Sequence, residues 1–522
     1  MNNRFFMNGA GWAMSGTKTA MIIAAVLFVL PRFSDVHSQA MSGNYIIGPD
    51  GDYSTFSTAI NDMMSRQVGG EILFEVESGI YDDRAALGWI QNPDNIVNTH
   101  LITFRSKSGN PEDVVLRAGG GTSPNYIITM HNNLRRVAFE NFTIESTSSG
   151  TRLIEHRGDN ISYRGMIFRG GPIEGAYYSR GLIVEQCTFY NSSLQLVASG
   201  SMGNIRIENN TFYSGRITLN HARLAPLIIA NNIIYSTQDA IYIRDNRTPL
   251  HIFNNYIRIE GNSNRNGIWL HEVDSVLVYH NTVKTIGHGT AFWSTDRGNA
   301  HLTNNILYST LGRVMDIRDP ELSSITADYN GYYSEGINVA RTGGVNYASW
   351  EDFSVVFDQG SNSVYGHPRF SPHDAEEYEP MVPASLLYAT AGTDLSEWLP
   401  EDLMGNPRPA TPSLGALEFI GTDTSIPQPR GSGLPGSFLL AHNYPNPFNP
   451  VTTIRYNLPE PAEITVAVYD IHGRHIATLV SDRQEAGSHS AIFNATNLAS
   501  GVYVYRITAN TQTRSGKMLL VK

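Results

Sequence analysis

Cysteine is nearly absent from this chain: Cys187 is the only one in 522 residues. No internal disulfide can form, so packing and hydrogen bonding must hold the fold together. A lone thiol in such a chain is packing material before it is a reagent. Lysine is scarce too. Only Lys107 and Lys284 fall between residues 41 and 420, and that stretch carries a net charge of about −15. An acidic body repels nucleic acid, and it disfavours polyanionic glycans unless a cation bridges the two. Long apolar runs are missing after the start. Thr19 to Leu30 is apolar, follows Arg4 and Lys18, is broken by Pro31 and leads to the small residues Ser38-Gln39-Ala40. This reads as a secretory signal over residues 1–40, too short to span a bilayer, and no later stretch is long enough to cross one. Zinc-ligand spacings, a nucleophile elbow and a phosphate loop are also missing.

What is present is a recurring asparagine pair. It appears as Asn209-Asn210, Asn231-Asn232, Asn254-Asn255 and Asn304-Asn305, with His280-Asn281 and Tyr329-Asn330 in register. The second residue recurs at steps of 22, 23, 26, 24 and 25, and Cys187, Gly165 and Asn141 extend the series backwards. A period in this range means stacked coils rather than a closed globule. Each unit reads as three short strands, as in Ser275–Tyr279, Thr211–Tyr213 and Gly267–His271. The asparagine is expected at a corner, where its amide bonds the backbone and stacks on the next asparagine one strand spacing (~4.8 Å) away.

The opening Gly48-Pro49-Asp50-Gly51-Asp52-Tyr53-Ser54-Thr55-Phe56, the later Val76-Glu77-Ser78-Gly79-Ile80-Tyr81 and the closing Asp402–Glu418 segment accompany this repeat. Together they resemble the right-handed parallel β-helix repeat proteins of the pectate-lyase-like superfamily. The resemblance implies an all-β right-handed parallel β-helix (solenoid). Residues 41–99 would form its N-terminal cap, with a short helix from about Thr55 to Met64. Residues 100–335 would form the coils, and 336–420 the C-terminal part and cap. A Pro/Gly/Ser-rich linker spans 421–437. Beyond it come Asn443-Tyr444-Pro445-Asn446-Pro447-Phe448-Asn449-Pro450, Val468-Tyr469-Asp470-Ile471-His472-Gly473-Arg474 and the terminal Lys517-Met518-Leu519-Leu520-Val521-Lys522. These motifs resemble the C-terminal sorting domain of type IX secretion cargo, a small immunoglobulin-like β-sandwich over 438–522. That resemblance implies type IX secretion machinery as a partner, passage through the periplasm, and a secreted or cell-surface destination.

Aligning the units on the asparagines sets the register of the site. Ile241/Ile243, Ile268/Leu270, Phe292/Ser294 and Met315/Ile317 then point inward, since strand side chains alternate. Tyr242/Arg244, Trp269/His271, Trp293/Thr295 and Asp316/Arg318 point outward. Asp245, Glu272, Asp296 and Asp319 follow as a row of carboxylates. Sugars offer apolar faces to aromatic rings and hydroxyls to carboxylates. Tyr242, Trp269, Trp293 and His271 are therefore the candidate substrate-binding residues, and Asp245, Glu272, Asp296, Arg244 and Arg318 the candidate catalytic ones. Carboxylates one or two coils apart would lie about 5 or 10 Å apart, which brackets the spacings of retaining and inverting glycosidases. The same row could hold Ca²⁺, which takes several oxygen ligands. Two observations fit a structural origin for such a row. Outward aromatics stabilise any exposed strand face, and Tyr190, Tyr213, Tyr235, Arg258, Lys284, Tyr308 and Tyr333 form a second outward row. Gly287-His288-Gly289 resembles a short polygalacturonase motif but lacks the paired aspartates that accompany it.

The sequence thus leads to a secreted or cell-surface β-helix that binds an extracellular polysaccharide. Cleavage by lyase or glycosidase chemistry is one reading of its site. A non-catalytic adhesin or surface structural protein is the alternative.

Overall fold

A computed structural model describes residues 40–521, apart from 89–97, 121–124, 225, 262–263, 321–323, 358–359, 371–384, 420–438, 445–447, 459–460, 471–472, 486 and 511. The expected signal and linker lie outside the described residues. Parallel strands wind into coils of three faces. One coil reads Ile241–Asn246 on the first face, Leu250–Phe253 on the second and Tyr256–Glu260 on the third. The first two faces form one 21-stranded sheet, because strands such as Ile268–Tyr279 run continuously round the bend between them. The third face is a 12-stranded sheet. The alternating apolar residues fill the lumen: Ile241, Ile243, Ile268, Leu270, Phe292 and Met315 are all fully buried.

The helix at the entrance runs from Phe56 to Arg66, with Thr55 as its N-cap in a reciprocal capping box with Thr58. It buries Phe56, Ala59, Ile60 and Met63 against the first coils, closing the open end that a solenoid otherwise exposes. At the far end the Ala340–Thr342 and Val345–Tyr347 hairpin ends the first face. Helix Trp350–Phe357 lays Trp350 on Tyr332, with ring centroids 4.1 Å apart, and fully buries Phe353.

The two members of each asparagine pair have opposite tasks. The first turns the corner in the left-handed region: φ is +58° at Asn209, +54° at Asn231, +53° at Asn254, +52° at His280 and +59° at Asn304. Asparagine tolerates that conformation better than most residues. The second points inward and builds a ladder. Asn232 Oδ1 accepts from the backbone N–H and side-chain amide of Asn210, and Asn255, Asn281, Asn305 and Asn330 repeat the pattern coil by coil. Each amide also donates across the bend, as Asn255 Nδ2 does to Ile229 O at 2.9 Å. The ladder thus satisfies buried backbone groups that the bend strips from the sheet. The backward extension of the series needs a correction. Gly165 (φ +58°) and Asn141 (φ +57°) occupy the first, corner position, and the inward slot is filled by Met166 and Phe142. A Cβ at Gly165 would meet Asn141 Oδ1 at 2.1 Å, so a larger residue there would push the Asn141 side chain aside.

Residues 385–419 do not simply continue the coil. They fold back along the outside of the third face as a strap, burying Tyr388, Leu414 and Ala416 completely. The corner side chains hold this strap. Asn254 Nδ2 donates to Glu401 O at 2.8 Å, Asn304 Nδ2 to Thr393 O at 2.8 Å, and Arg408 Nη2 to Asn254 Oδ1 at 2.8 Å. Arg408 also pairs with Glu418 out of solvent. Burial lowers the arginine's pKa and raises that of the carboxyl. The strap corrects the expected second outward row, because it and the preceding Phe370 cover Tyr235, Lys284 and Tyr308, leaving them 5%, 8% and 5% exposed.

The C-terminal residues form two antiparallel sheets. One holds Leu439–Tyr444, Val451–Leu458 and Gly487–Asn494. The other holds His475–Gln484, Ala462–Asp470, Gly501–Ala509 and Gln512–Leu520. They share a separate apolar core that includes Ile454, Val466, Val468, Phe493 and Ile507.

Candidate functional site

The first face brings the predicted aromatic row together. Tyr242, Trp269 and Trp293 are direct neighbours in successive strands. Their rings form a continuous stack, with centroids 4.3 Å apart from Tyr242 to Trp269 and 4.7 Å from Trp269 to Trp293, the latter pair 13° from coplanar. Arg318 extends the stack, its guanidinium lying 5.4 Å from the Trp293 ring centre. Partial burial raises the Tyr242 phenol's pKa, and Arg244 beside it pulls the value back. Arg244 and Arg318 are both exposed, and neither meets a carboxylate among the described residues.

Next to the stack, His271 Nδ1 lies 2.7 Å from Thr295 Oγ1 and 2.9 Å from Asp296 Oδ2. Asp319 Oδ2 accepts from the Asp296 backbone N–H at 3.1 Å. Trp269 Nε1 donates to Thr295 Oγ1 at 3.4 Å. These contacts lock the histidine edge of the platform.

The carboxylate row has a structural origin. Asp245, Glu272 and Asp296 stand at φ +47°, +53° and +59°, and His221 one coil earlier at +64°. They turn the bend between the first and second faces. Asp245 is 7% exposed and gripped by Arg223 at 2.5 Å and Arg247 at 3.1 Å, with His221 at 3.5 Å. Its pKa is lowered: burial alone would raise it, and the bonds and charges of the two arginines together prevail. The row therefore does not converge on one point: Asp245 is spent on its arginines, and Asp296 on His271. Asp316 faces outward as expected, opposite Trp293 in the strand register. It is 2% exposed, because Arg341 holds both its oxygens, at 3.0 and 2.8 Å. Among the described residues no group of three or more His, Cys, Asp or Glu is placed to hold a metal ion.

Other singled-out residues resolve as structural. Gly287-His288-Gly289 is a turn in which a Cβ on Gly289 would lie 2.0 Å from Arg265 O. Cys187 is buried with its Sγ donating to Glu185 O at 3.2 Å, and burial pushes its thiol pKa up to about 12. A hollow of about 400 Å³ lined by Tyr279, His301, Thr303, Thr326 and Asp328 lies on the second face, away from the aromatic stack.

Sequence reasoning missed the other half of the outward row. Glu155, Glu174, Gln195 and Thr218 occupy successive positions in the same register, leading directly to Tyr242. The backward series from Asn210 runs through Gly165 and Asn141, which are corner residues, so it gives these earlier coils a register off by one residue. Glu155 pairs with Arg157 at 2.5 Å, and Glu174 with Arg152 at 2.8 Å. Tyr126 donates to Glu174 Oε2 at 3.1 Å. Its phenol pKa is raised to about 12, first by burial and then by that carboxylate.

Two segments of the chain match known families. Residues 126–346 match the family described as the right handed beta helix region. Residues 442–522 match the secretion system C-terminal sorting domain. No curated protein matches the chain. Among solved structures, the pectin methylesterase from Aspergillus niger in deglycosylated form is similar at 14% identity, over 46% of this chain and 87% of that one, with a TM-score of 0.28.

Proposed function

We propose that this chain, a right-handed β-helix protein exported to the cell surface or beyond by its C-terminal sorting domain, binds an extracellular polysaccharide on its first face. One observation carries the reading: the stack of Tyr242, Trp269 and Trp293, extended by Arg318, on a face that the strap leaves open. Pyranose rings lay their C–H faces on such a platform. Arg244, Arg318 and His271 supply hydrogen bonds at its edge. Asp245 is engaged by arginines and Asp296 by a histidine, which favours holding a sugar over cutting it.

The test is a panel of soluble polysaccharides, with binding measured by affinity electrophoresis. Trp269→Ala and Trp293→Ala should each weaken retention of a bound polymer at least about tenfold, each removing one aromatic contact and breaking the stack. Unchanged retention in the double variant would sink the proposal.

Cleavage is a second reading, favoured by one contact. His271, held by Asp296 at 2.9 Å beside the platform, is oriented as a general base would be. If it acts so, new reducing or unsaturated ends appear in the wild type. They disappear in His271→Ala while binding persists. Assays with and without Ca²⁺ show whether a cation from the medium joins Asp296 and Asp319.

A further inference from the structure

The second face has an outward row of its own, which runs from Glu140 through Glu185 and Glu208 to Tyr279, Thr303 and Asp328. Its carboxylates are not treated alike. Glu140, Glu185 and Glu208 each meet an arginine, respectively Arg105, Arg164 and Arg206. Asp328 is held by neutral donors instead. Its Oδ1 accepts from the backbone N–H groups of Tyr329 and Asn362, each at 2.9 Å, and its Oδ2 from Asn362 Nδ2 at 2.8 Å. These bonds fix the carboxylate without neutralising it, and of its roughly four lone-pair sites one stays open.

Thr303 is a short residue between two longer ones. Tyr279 and Asp328 stand one coil to either side of it, so about 10 Å separates their Cα atoms. Thr303 does not reach far enough to fill the space between them, and this is the origin of the hollow of about 400 Å³. Tyr279 and Asp328 wall it, His301 and Thr326 flank it, and Ser361 lines it from the loop that Asn362 ties to Asp328. The Thr326 hydroxyl engages His301 Nδ1, which leaves Nε2 for a ligand.

The volume is that of a small-molecule site, and the lining selects among small molecules. The Tyr279 ring offers its face to C–H groups. The three hydroxyls and His301 give and accept hydrogen bonds. Asp328 takes a hydroxyl in a charge-assisted bond. No lysine or arginine lines the hollow, so its one carboxylate repels an anion.

We infer that this hollow is a second carbohydrate site, holding one neutral pyranose unit over Thr303, with an apolar face of the sugar toward Tyr279 and a hydroxyl on Asp328. The same chemistry suits a free monosaccharide and the terminal unit of a chain. The inference does not rest on the first-face platform, which lies on another side of the coil.

The experiment uses the full chain and the methyl glycosides of glucose, galactose, mannose and xylose, followed by saturation-transfer NMR and calorimetry. At least one should bind, and binding should persist in the chain carrying both Trp269→Ala and Trp293→Ala. Thr303→Tyr fills the hollow from an outward-facing position next to one that already carries tyrosine, and should abolish binding. Asp328→Asn should weaken it about tenfold, and methyl glucuronide should bind more weakly than methyl glucoside by a similar factor. Competition by an oligosaccharide of the bound sugar assigns a chain end, and its failure assigns the free monosaccharide. The site is overturned if no glycoside binds, if Thr303→Tyr leaves binding unchanged, if the glucuronide binds more tightly, or if the tryptophan variant alone loses binding. Loss of polymer retention in the tryptophan variant with glycoside binding intact concerns the first face only.

Discussion

Asn255 shows what one residue does here. Its Oδ1 accepts from the backbone and the amide of Asn232, while its own amide donates to Ile229 O, Phe253 O and Asn281 Oδ1. Leucine fits the volume but strands Asn232 N–H and Ile229 C=O in the core, while Asn281 Oδ1 keeps the backbone N–H of residue 255. Each stranded group costs about 1–3 kcal/mol, so Asn255→Leu should lose at least about 2 kcal/mol, read as a lower denaturant midpoint. Cys187 occupies the same slot one coil before the ladder begins, and only its backbone N–H bonds the ladder, to Asn210 Oδ1 at 2.9 Å. Cys187→Ala should therefore be mild by the same measurement. The asparagine ladder was legible in the sequence because its spacing repeats. Its starting point was not, because Gly165 and Asn141 fall at near-periodic spacing yet serve as corner residues.

At the scale of elements, the strap and the coil meet at His280. It is fully buried. Its Nδ1 lies 3.3 Å from Gly415 O and its Nε2 2.8 Å from Asn304 Nδ2, so the ring is neutral, donating to the carbonyl and accepting from the amide. Burial first, then the nearby Arg408 charge, hold its pKa well below 6.5, the backbone bond to Gly415 opposing them. A lowered folded-state pKa gives stability that is complete above the unfolded value and is lost as pH falls below it. His156, buried beside Tyr163 in the lumen, behaves alike, with its pKa lowered to about 4. Stability should fall from about pH 6.5 downward, by about 1.4 kcal/mol per pH unit for each histidine still neutral in the fold. His280→Asn places at this corner the residue that Asn209, Asn231, Asn254 and Asn304 already supply. Thermal melts between pH 7 and 5 should then show a shallower acid loss than the wild type; an identical slope would exclude His280 as a contributor.

At the scale of the whole molecule, two apolar cores are separate: one runs the length of the solenoid, and the other lies within the C-terminal sheets. No disulfide ties them, since Cys187 is the only cysteine. Calorimetry should therefore resolve two unfolding transitions, unaffected by reductant, and a chain ending at residue 437 should lose one and keep the other. A single cooperative transition that the truncation merely shifts would contradict independent cores. Among the described residues no helix is long and apolar enough to cross a membrane.

The period of the asparagine pairs, the alternation of Ile241, Ile243, Ile268 and Leu270, and the motifs after Asn443 determined the solenoid, its register from Asn210 onward and the C-terminal sorting module. These are local signals, repeated every coil or confined to one short segment. Only the tertiary structure decided how much of each aromatic row is covered. The strap over Tyr235 and the Phe370 ring over Tyr308 arrive from residues far along the chain, and no coil period announces where a non-repeating segment will fold back. The fate of the carboxylates was likewise a matter of neighbours, since Arg223 and Arg341 reach Asp245 and Asp316 from adjacent coils. The polar half of the first-face row emerged for the same reason: its register is carried by strand pairing between coils, where side-chain identity no longer repeats.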